Sequence, residues 1–177
     1  MGKLGTITRR TFLIGAVAIT GGAVFGYWKY KQPYGNPLLK DIDEDANALT
    51  PYVLIDQNGI SIIAPRAEMG QGIHTTLATM VAEELDVALE QVNVLHGPAS
   101  SAYFNEIMME DGLPFASLDE SGLAEGARNF TKIPAKLFGM QLTGGSTATV
   151  DHFEKMRTAG AAARESLLQA AANKTGS

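Results

Sequence analysis

The stretch YVLIDQNGISIIAP, residues 52–65, constrains the fold more than any other part of the chain. Two short β-branched runs flank Gln57-Asn58-Gly59, and Asn-Gly tolerates the positive φ angles of a tight turn, so the stretch predicts a β-hairpin. Pro65 has no N–H to give a ladder and ends the second strand. A two-stranded hairpin is not stable alone and must be covered. The cover follows directly. Ile73, Leu77, Met80, Val81 and Leu85 recur at helical spacing and predict a helix from Ile73 to Asp86 with one apolar face. QVNVLHGP then alternates Val92, Val94 and His96 and reads as a further strand. The order is strand, strand, helix, strand.

A second helix is expected near the C-terminus. The alanine-rich stretch from Thr147 to Asn173 carries Val150, Phe153, Met156, Gly160, Ala163 and Leu167 on one stripe, whose small residues admit a neighbouring backbone. Ser146 or Thr147 is a natural N-cap. Residues 99–141 show no sustained period, and no element is assigned there. Long irregular segments in compact domains are usually functional or poorly ordered. Phe104, Ile107, Met108, Phe130, Leu137 and Phe138 are its candidates for packing in turns of helix. With 177 residues, one domain with a real core is expected. The fold class is α/β (α+β in detail): a small mixed sheet with a β-hairpin and two main helices, preceded by an N-terminal transmembrane or signal segment.

That segment is read from TRRTFLIGAVAITGGAVFGYW, where Arg9 and Arg10 precede an uncharged run from Thr11 to Trp28. The run is at the short end of what spans a bilayer, and its glycines weaken its helix propensity. The paired arginines followed by Phe12 and Leu13 read as the twin-arginine type of export signal, with an ordinary signal anchor behind two basic residues as the alternative. No Ala-x-Ala cleavage site follows. GYWKYKQPYG instead supplies interfacial aromatics and lysines, as at the end of a retained anchor. Residues 1–30 are therefore expected to be a signal or anchor, 31–51 a proline-rich acidic linker, and 52–177 the folded domain. The expected location is the periplasm, tethered to the inner membrane.

Composition excludes several classes. The net charge of −5 argues against a nucleic-acid surface, which needs clustered Lys and Arg. The absence of cysteine removes disulfides, thiolate metal sites and iron–sulfur ligation by this chain. His74, His96 and His152 lack metal-ligand spacing, so no metal ligand is assigned. His74 reads as a polar residue at a helix start and His152 as a surface or interface residue. Ser100, His96 and Asp86 could form a nucleophilic set on paper, but no Gly-x-Ser-x-Gly elbow supports it. No catalytic residue is assigned.

What remains are two glycine turns, EMGQG and TGGST, each running into a helix. A helix N-terminus offers unpaired N–H groups and about half a positive charge. Gly70 and Gly72 would strip the approach to the first, with Gln71 adding a neutral amide. Gly144 and Gly145 would do so at the second, with the hydroxyls of Ser146 and Thr147. Such a pair suits a ligand with phosphate and polar ring groups, such as a dinucleotide-type cofactor. Neither the Gly-x-Gly-x-x-Gly fingerprint nor a P-loop is matched.

EMGQGIHTTLATMVAEELDV and TGGSTATVDHFEKMRTAGAAARESLLQAAA, in that order, resemble the molybdenum-cofactor-binding subunit of the molybdenum hydroxylases. The isoquinoline 1-oxidoreductase beta-subunit type is the nearest likeness, because RRTFLIG and YGNPLL also match its leader and tether. The resemblance implies that Gly70, Gln71 and Gly72, together with Gly144, Gly145, Ser146 and Thr147, bind molybdopterin cytosine dinucleotide. It implies hydroxylation of N-heterocycles or aldehydes with oxygen from water. Its partners would be a [2Fe-2S] small subunit, the remaining domains of a longer large subunit, and a cytochrome as electron acceptor. The family's catalytic glutamate lies in a later motif not found here. The chain is thus expected to be an N-terminal piece, inactive alone. The alternative is a membrane-tethered, non-enzymatic binding domain complete at this length.

Overall fold

The computed structural model describes residues 9–40 and 42–176, in two units, residues 1–33 and 34–177. In the first, α1 (Arg9–Lys31) is a single helix. Phe25 and Trp28 stack with ring centroids 5.8 Å apart, and the Lys31 ammonium lies over the Tyr27 ring. The side chains of Arg9, Arg10, Phe12 and Leu13, which carry the expected export motif, lie outside the described residues. Among the described residues, no helix is long and apolar enough to cross a membrane.

The second unit is a four-stranded mixed sheet in the order β1 (Asn47–Thr50), β2 (Val53–Asp56), β3 (Gly59–Ala64), β4 (Val92–His96). β1, β2 and β3 are antiparallel neighbours, and β4 pairs parallel to β3, with Ile60 opposite Val92 and Ala64 opposite His96. The parallel pair needs a crossover, which α2 (Ile73–Leu85) supplies. The hairpin stands where the sequence puts it, but its turn is shifted by one residue. Asp56 pairs with Gly59, so Gln57-Asn58 form the loop and Gly59 alone takes the positive φ, at 115°. The Asp56 carboxylate holds this loop by accepting from the Asn58 amide at 2.7 Å.

β1 lies within the stretch expected as a linker. It is anchored through Asn36, whose side chain accepts from Leu38 N and donates to Ala48 O. A helix also forms where none was assigned: α3 (Gly122–Phe138), capped by Ser121 and containing Pro134. Five of its large apolar side chains, Leu123, Phe130, Ile133, Leu137 and Phe138, are exposed, so the packing expected of Phe130, Leu137 and Phe138 is not seen.

The core lies between β2–β3 and the two long helices, α2 and α4 (Ala148–Thr175). Ile73, Leu77, Ala78, Val81, Ala82 and Leu85 of α2 meet Met156, Ala159 and Ala163 of α4. Gly160 sits at the crossing, where a Cβ would lie 2.8 Å from both Val81 O and Glu84 Cβ. The expected stripe on α4 holds at Met156, Gly160 and Ala163 and fails at its ends, where Val150, Phe153 and Leu167 are exposed. At 28 residues α4 is about 42 Å long and overruns α2, so it is buried along one side from Asp151 to Ala163 and uncovered beyond.

Candidate functional site

Both glycine turns sit at the start of a core helix, and the core packing brings those starts together. The first follows β3. Gly70 (φ 92°) and Gly72 (φ 79°) take left-handed backbone, which lets the chain reverse into α2. The second precedes α4, with Gly145 at φ 57° and Ser146 at φ 53°. A serine in this region bears a steric cost that glycine escapes. The Ala67 amide donates to Thr143 Oγ1 at 2.9 Å, and Gln141 Nε2 donates to Pro65 O, stitching the turns along their edge. A cavity of about 310 Å³ opens between them. Met69, Gln71, Ile73 and Thr76 line one side, and Thr143, Gly144, Ser146, Ala148 and Thr149 the other.

The expected site residues divide. Gln71, Gly144 and Ser146 line the cavity, whereas Gly70, Gly72, Gly145 and Thr147 do not and shape the turns behind it. Thr147 is buried, accepts from Asn105 Nδ2 at 2.7 Å and donates to Gly144 O at 2.8 Å, so its hydroxyl is committed to the fold.

The expected donors of the first turn are also committed. Glu68 Oε1 accepts from the amides of Gly70 and Gly72 at 2.8 and 2.9 Å, and Oε2 accepts from His74 N at 3.0 Å. The anion at this helix start is the chain's own carboxylate. These bonds, the one from His74 N foremost, hold Glu68 below its ordinary pKa. The Gln71 amide is bonded locally as well, accepting from Met69 N and donating to Ala67 O. The sequence reading gave Glu68 no role. A carboxylate two residues before the first glycine was the available signal, since a short acidic side chain readily folds back onto following amides.

Under the turns lies a buried charge network. Arg66 is 1% exposed and donates from Nη2 to Asp151 Oδ2 at 2.9 Å, and from Nη1 to Pro65 O and Tyr103 O. Asp151 Oδ1 accepts from Glu106 N at 2.7 Å and from Lys155 Nζ at 2.9 Å. Burial alone would raise the Asp151 carboxyl, yet close His152, the Lys155 ammonium and the Glu106 amide together hold it far below the usual carboxylate range. His152 is fully buried against Tyr52, not at a surface or interface, with its Nδ1 2.8 Å from Asp151 Oδ2. Burial, with the Arg66 and Lys155 charges, keeps its ring neutral by lowering its pKa. His74 donates from Nε2 to Arg66 O at 2.8 Å and packs 5.7 Å from the His96 ring. Ser100 accepts from Ala102 N and caps a short helical turn instead of serving a nucleophilic set. Among the described residues, no group of three or more His, Asp or Glu could hold a metal ion.

The lining is neutral and rich in hydroxyl and amide groups, with apolar patches from Met69, Ile73 and Ala148. Such a surface suits a flat polar heterocycle or part of a nucleotide more than a bare multivalent anion. The comparisons point the same way. A family model described as the molybdopterin cofactor-binding domain matches residues 20–107, which include the first turn and stop short of the second. The chain is 32% identical over 171 residues to the isoquinoline 1-oxidoreductase subunit beta of Brevundimonas diminuta. That match covers 95% of this chain and 18% of the relative's length. No solved structure matches the chain.

Proposed function

The chain belongs to the molybdopterin cofactor-binding family of the molybdenum hydroxylases, and from that premise we propose that its two glycine turns form part of the wall around the pterin dinucleotide of an oxidoreductase large subunit. The observation that carries this reading is the shared cavity: Gln71 from one turn and Gly144 and Ser146 from the other face the same space. The donor set fits part of such a group. Ser146, Thr143 and Thr149 offer hydroxyls, and the start of α4 has no side-chain cap at Thr147. At about 310 Å³ the cavity is at the lower end of ligand sites, consistent with holding a portion of the cofactor.

In this role Gln71, Ser146 and the backbone at Gly144 bind and orient the cofactor, while Gly70, Gly72, Gly145 and Thr147 fix the turns that carry them. When bound, the molybdenum centre supplies hydroxylation of electron-poor carbons in N-heterocycles or aldehydes, with water as the oxygen source. The cytosine dinucleotide form, a [2Fe-2S] small subunit as electron acceptor, and a periplasmic location reached through the Arg9–Arg10 leader complete the proposal. The test is to purify the chain, within its full-length subunit, with a candidate iron–sulfur partner and assay metal and nucleotide. Molybdenum and cytidine monophosphate released in stoichiometric amount support the reading, with Gln71→Ala and Ser146→Ala lowering both. Their absence from a folded complex ends it.

A further inference from the structure

We propose that Arg66 and Asp151 are positioning residues for this cavity: their buried ion pair fixes where the two glycine turns stand relative to each other. The inference rests on the reading above for what the cavity takes.

The placement of the pair carries the argument. Arg66 immediately precedes the first turn, and Asp151 lies in the first helical turn after the second, 85 residues away in sequence. Each partner is bonded again beyond the pair. The second nitrogen of the Arg66 fork reaches Tyr103 O, and the second Asp151 oxygen receives the Glu106 amide. Both residues thereby grip the segment 103–106. The same segment reaches the second turn directly, through Asn105 Nδ2 on Thr147 Oγ1.

Two other ties between the turns are weaker: the neutral hydrogen bonds along their edge, from Ala67 N to Thr143 Oγ1 and from Gln141 Nε2 to Pro65 O, are exposed or half-buried, and the helix crossing is the second. The α2–α4 crossing packs Met156, Ala159, Gly160 and Ala163 against α2, with the partly exposed Arg157–Glu84 ion pair beside them, and it fixes helix separation nine or more residues beyond Thr147. Stability is no better reason for the pair. Removing two charges from water costs about as much as their attraction returns, and apolar replacements of similar volume are often as stable. What apolar side chains cannot supply is the guanidinium fork, whose one nitrogen reaches the Asp151 carboxylate and whose other reaches the Tyr103 carbonyl.

The chain has no cysteine, so Met69→Cys and Val150→Cys place spin labels at the two turns and nowhere else. The full chain should give one narrow distance distribution. The Arg66→Met/Asp151→Leu double variant leaves Tyr103 O and Glu106 N without these partners, so it is expected to melt below the parent while staying folded, with the distribution widened at least twofold. Arg66→Lys, which keeps the charge and loses the fork, should widen it less, and it decides alone where the double variant does not fold. A distribution of parental width in either folded variant overturns the proposal. Because no ligand enters this measurement, a protein lacking molybdenum and pterin would defeat the function proposed above and leave this result standing.

Discussion

At the first glycine turn the Glu68 carboxylate accepts three backbone N–H groups, from Gly70, Gly72 and His74. At the second, no side chain caps the start of α4, and Thr147 turns its hydroxyl inward to Asn105 and Gly144 O. In composition the turns are alike, and each opens a helix; in how their amides are bonded they differ. One helix pole is already neutralised by the chain, and the other is open toward the shared cavity. Glycine content reports the backbone freedom a turn needs, not whether its amides are available. A ligand at this cavity should therefore meet its charged part at the second turn and its neutral hydrogen-bonding part at the first.

The comparison presumes that both turns are held by one support, and the largest expected effect comes from removing half of it. Asp151→Ala leaves the Arg66 guanidinium buried without its carboxylate, at a cost of about 3–5 kcal/mol. Urea unfolding should show this as a lower midpoint with little change in slope. Loss below about 1 kcal/mol would mean that the turns do not depend on the pair.

Acid should act on the same support. The His152 pKa is lowered by burial, so below about pH 6.5 the unfolded chain binds a proton that the folded chain refuses. Stability is then complete above that value and declines as the pH falls through it. Asp151 has a depressed pKa, so its contribution is present above about pH 4 and is lost at more acid pH. Melting temperatures between pH 8 and 3 should fall in two stages, and His152→Gln should remove the first.

Single glycines separate the turns more finely. An alanine at Gly72 or Gly145 is forced into left-handed backbone at a cost of about 1–2 kcal/mol. Gly145→Ala is the worse of the two, because its Cβ would meet Asp111 Oδ2 at 2.8 Å. Gly144 has an ordinary φ, and its nearest neighbour would be Met108 Cε at 3.6 Å, so Gly144→Ala should stay within about 0.5 kcal/mol. Ser146→Gly should gain up to about 1 kcal/mol by relieving the positive φ, less the entropy of a freer unfolded chain. If alanine is equally harmful at Gly144 and Gly145, the assigned turn geometry is wrong.

How much of this was legible follows from the range of the forces involved. The hairpin, α2, β4 and α4 are set by local spacing of apolar residues, and the sequence carries that spacing openly. α3 was missed because Gly122, Gly126 and Pro134 lower its helix propensity, although its apolar residues keep helical spacing. The turns at Gly70, Gly72 and Gly145 were legible because positive φ has few other solutions. Arg66, Asp151 and Asn105 were not, since partners many residues apart leave no period to find. The one hint was Asp151-His152 near the inward face of α4, where solvated residues would cost most.

The smallest effect bears most directly on the contrast between the turns. Glu68 is exposed, so replacing its charge should change global stability little. Its depressed pKa means that the carboxylate's support of the first turn is present above the ordinary glutamate range and is lost as pH falls through the lowered value. Glu68→Gln retains an acceptor oxygen but no charge, and it offers one carbonyl oxygen where the carboxylate offered two. Amide exchange should therefore quicken at Gly70, Gly72 and His74 and stay unchanged at Ala148, Thr149 and Val150. The variant should also shift a small anion such as pyrophosphate toward the first turn, read as new chemical-shift changes at those three amides. Identical exchange at both turns would show that Glu68 is not what distinguishes them, and the electrostatic asymmetry would have to be traced to Asp111 beside Gly145.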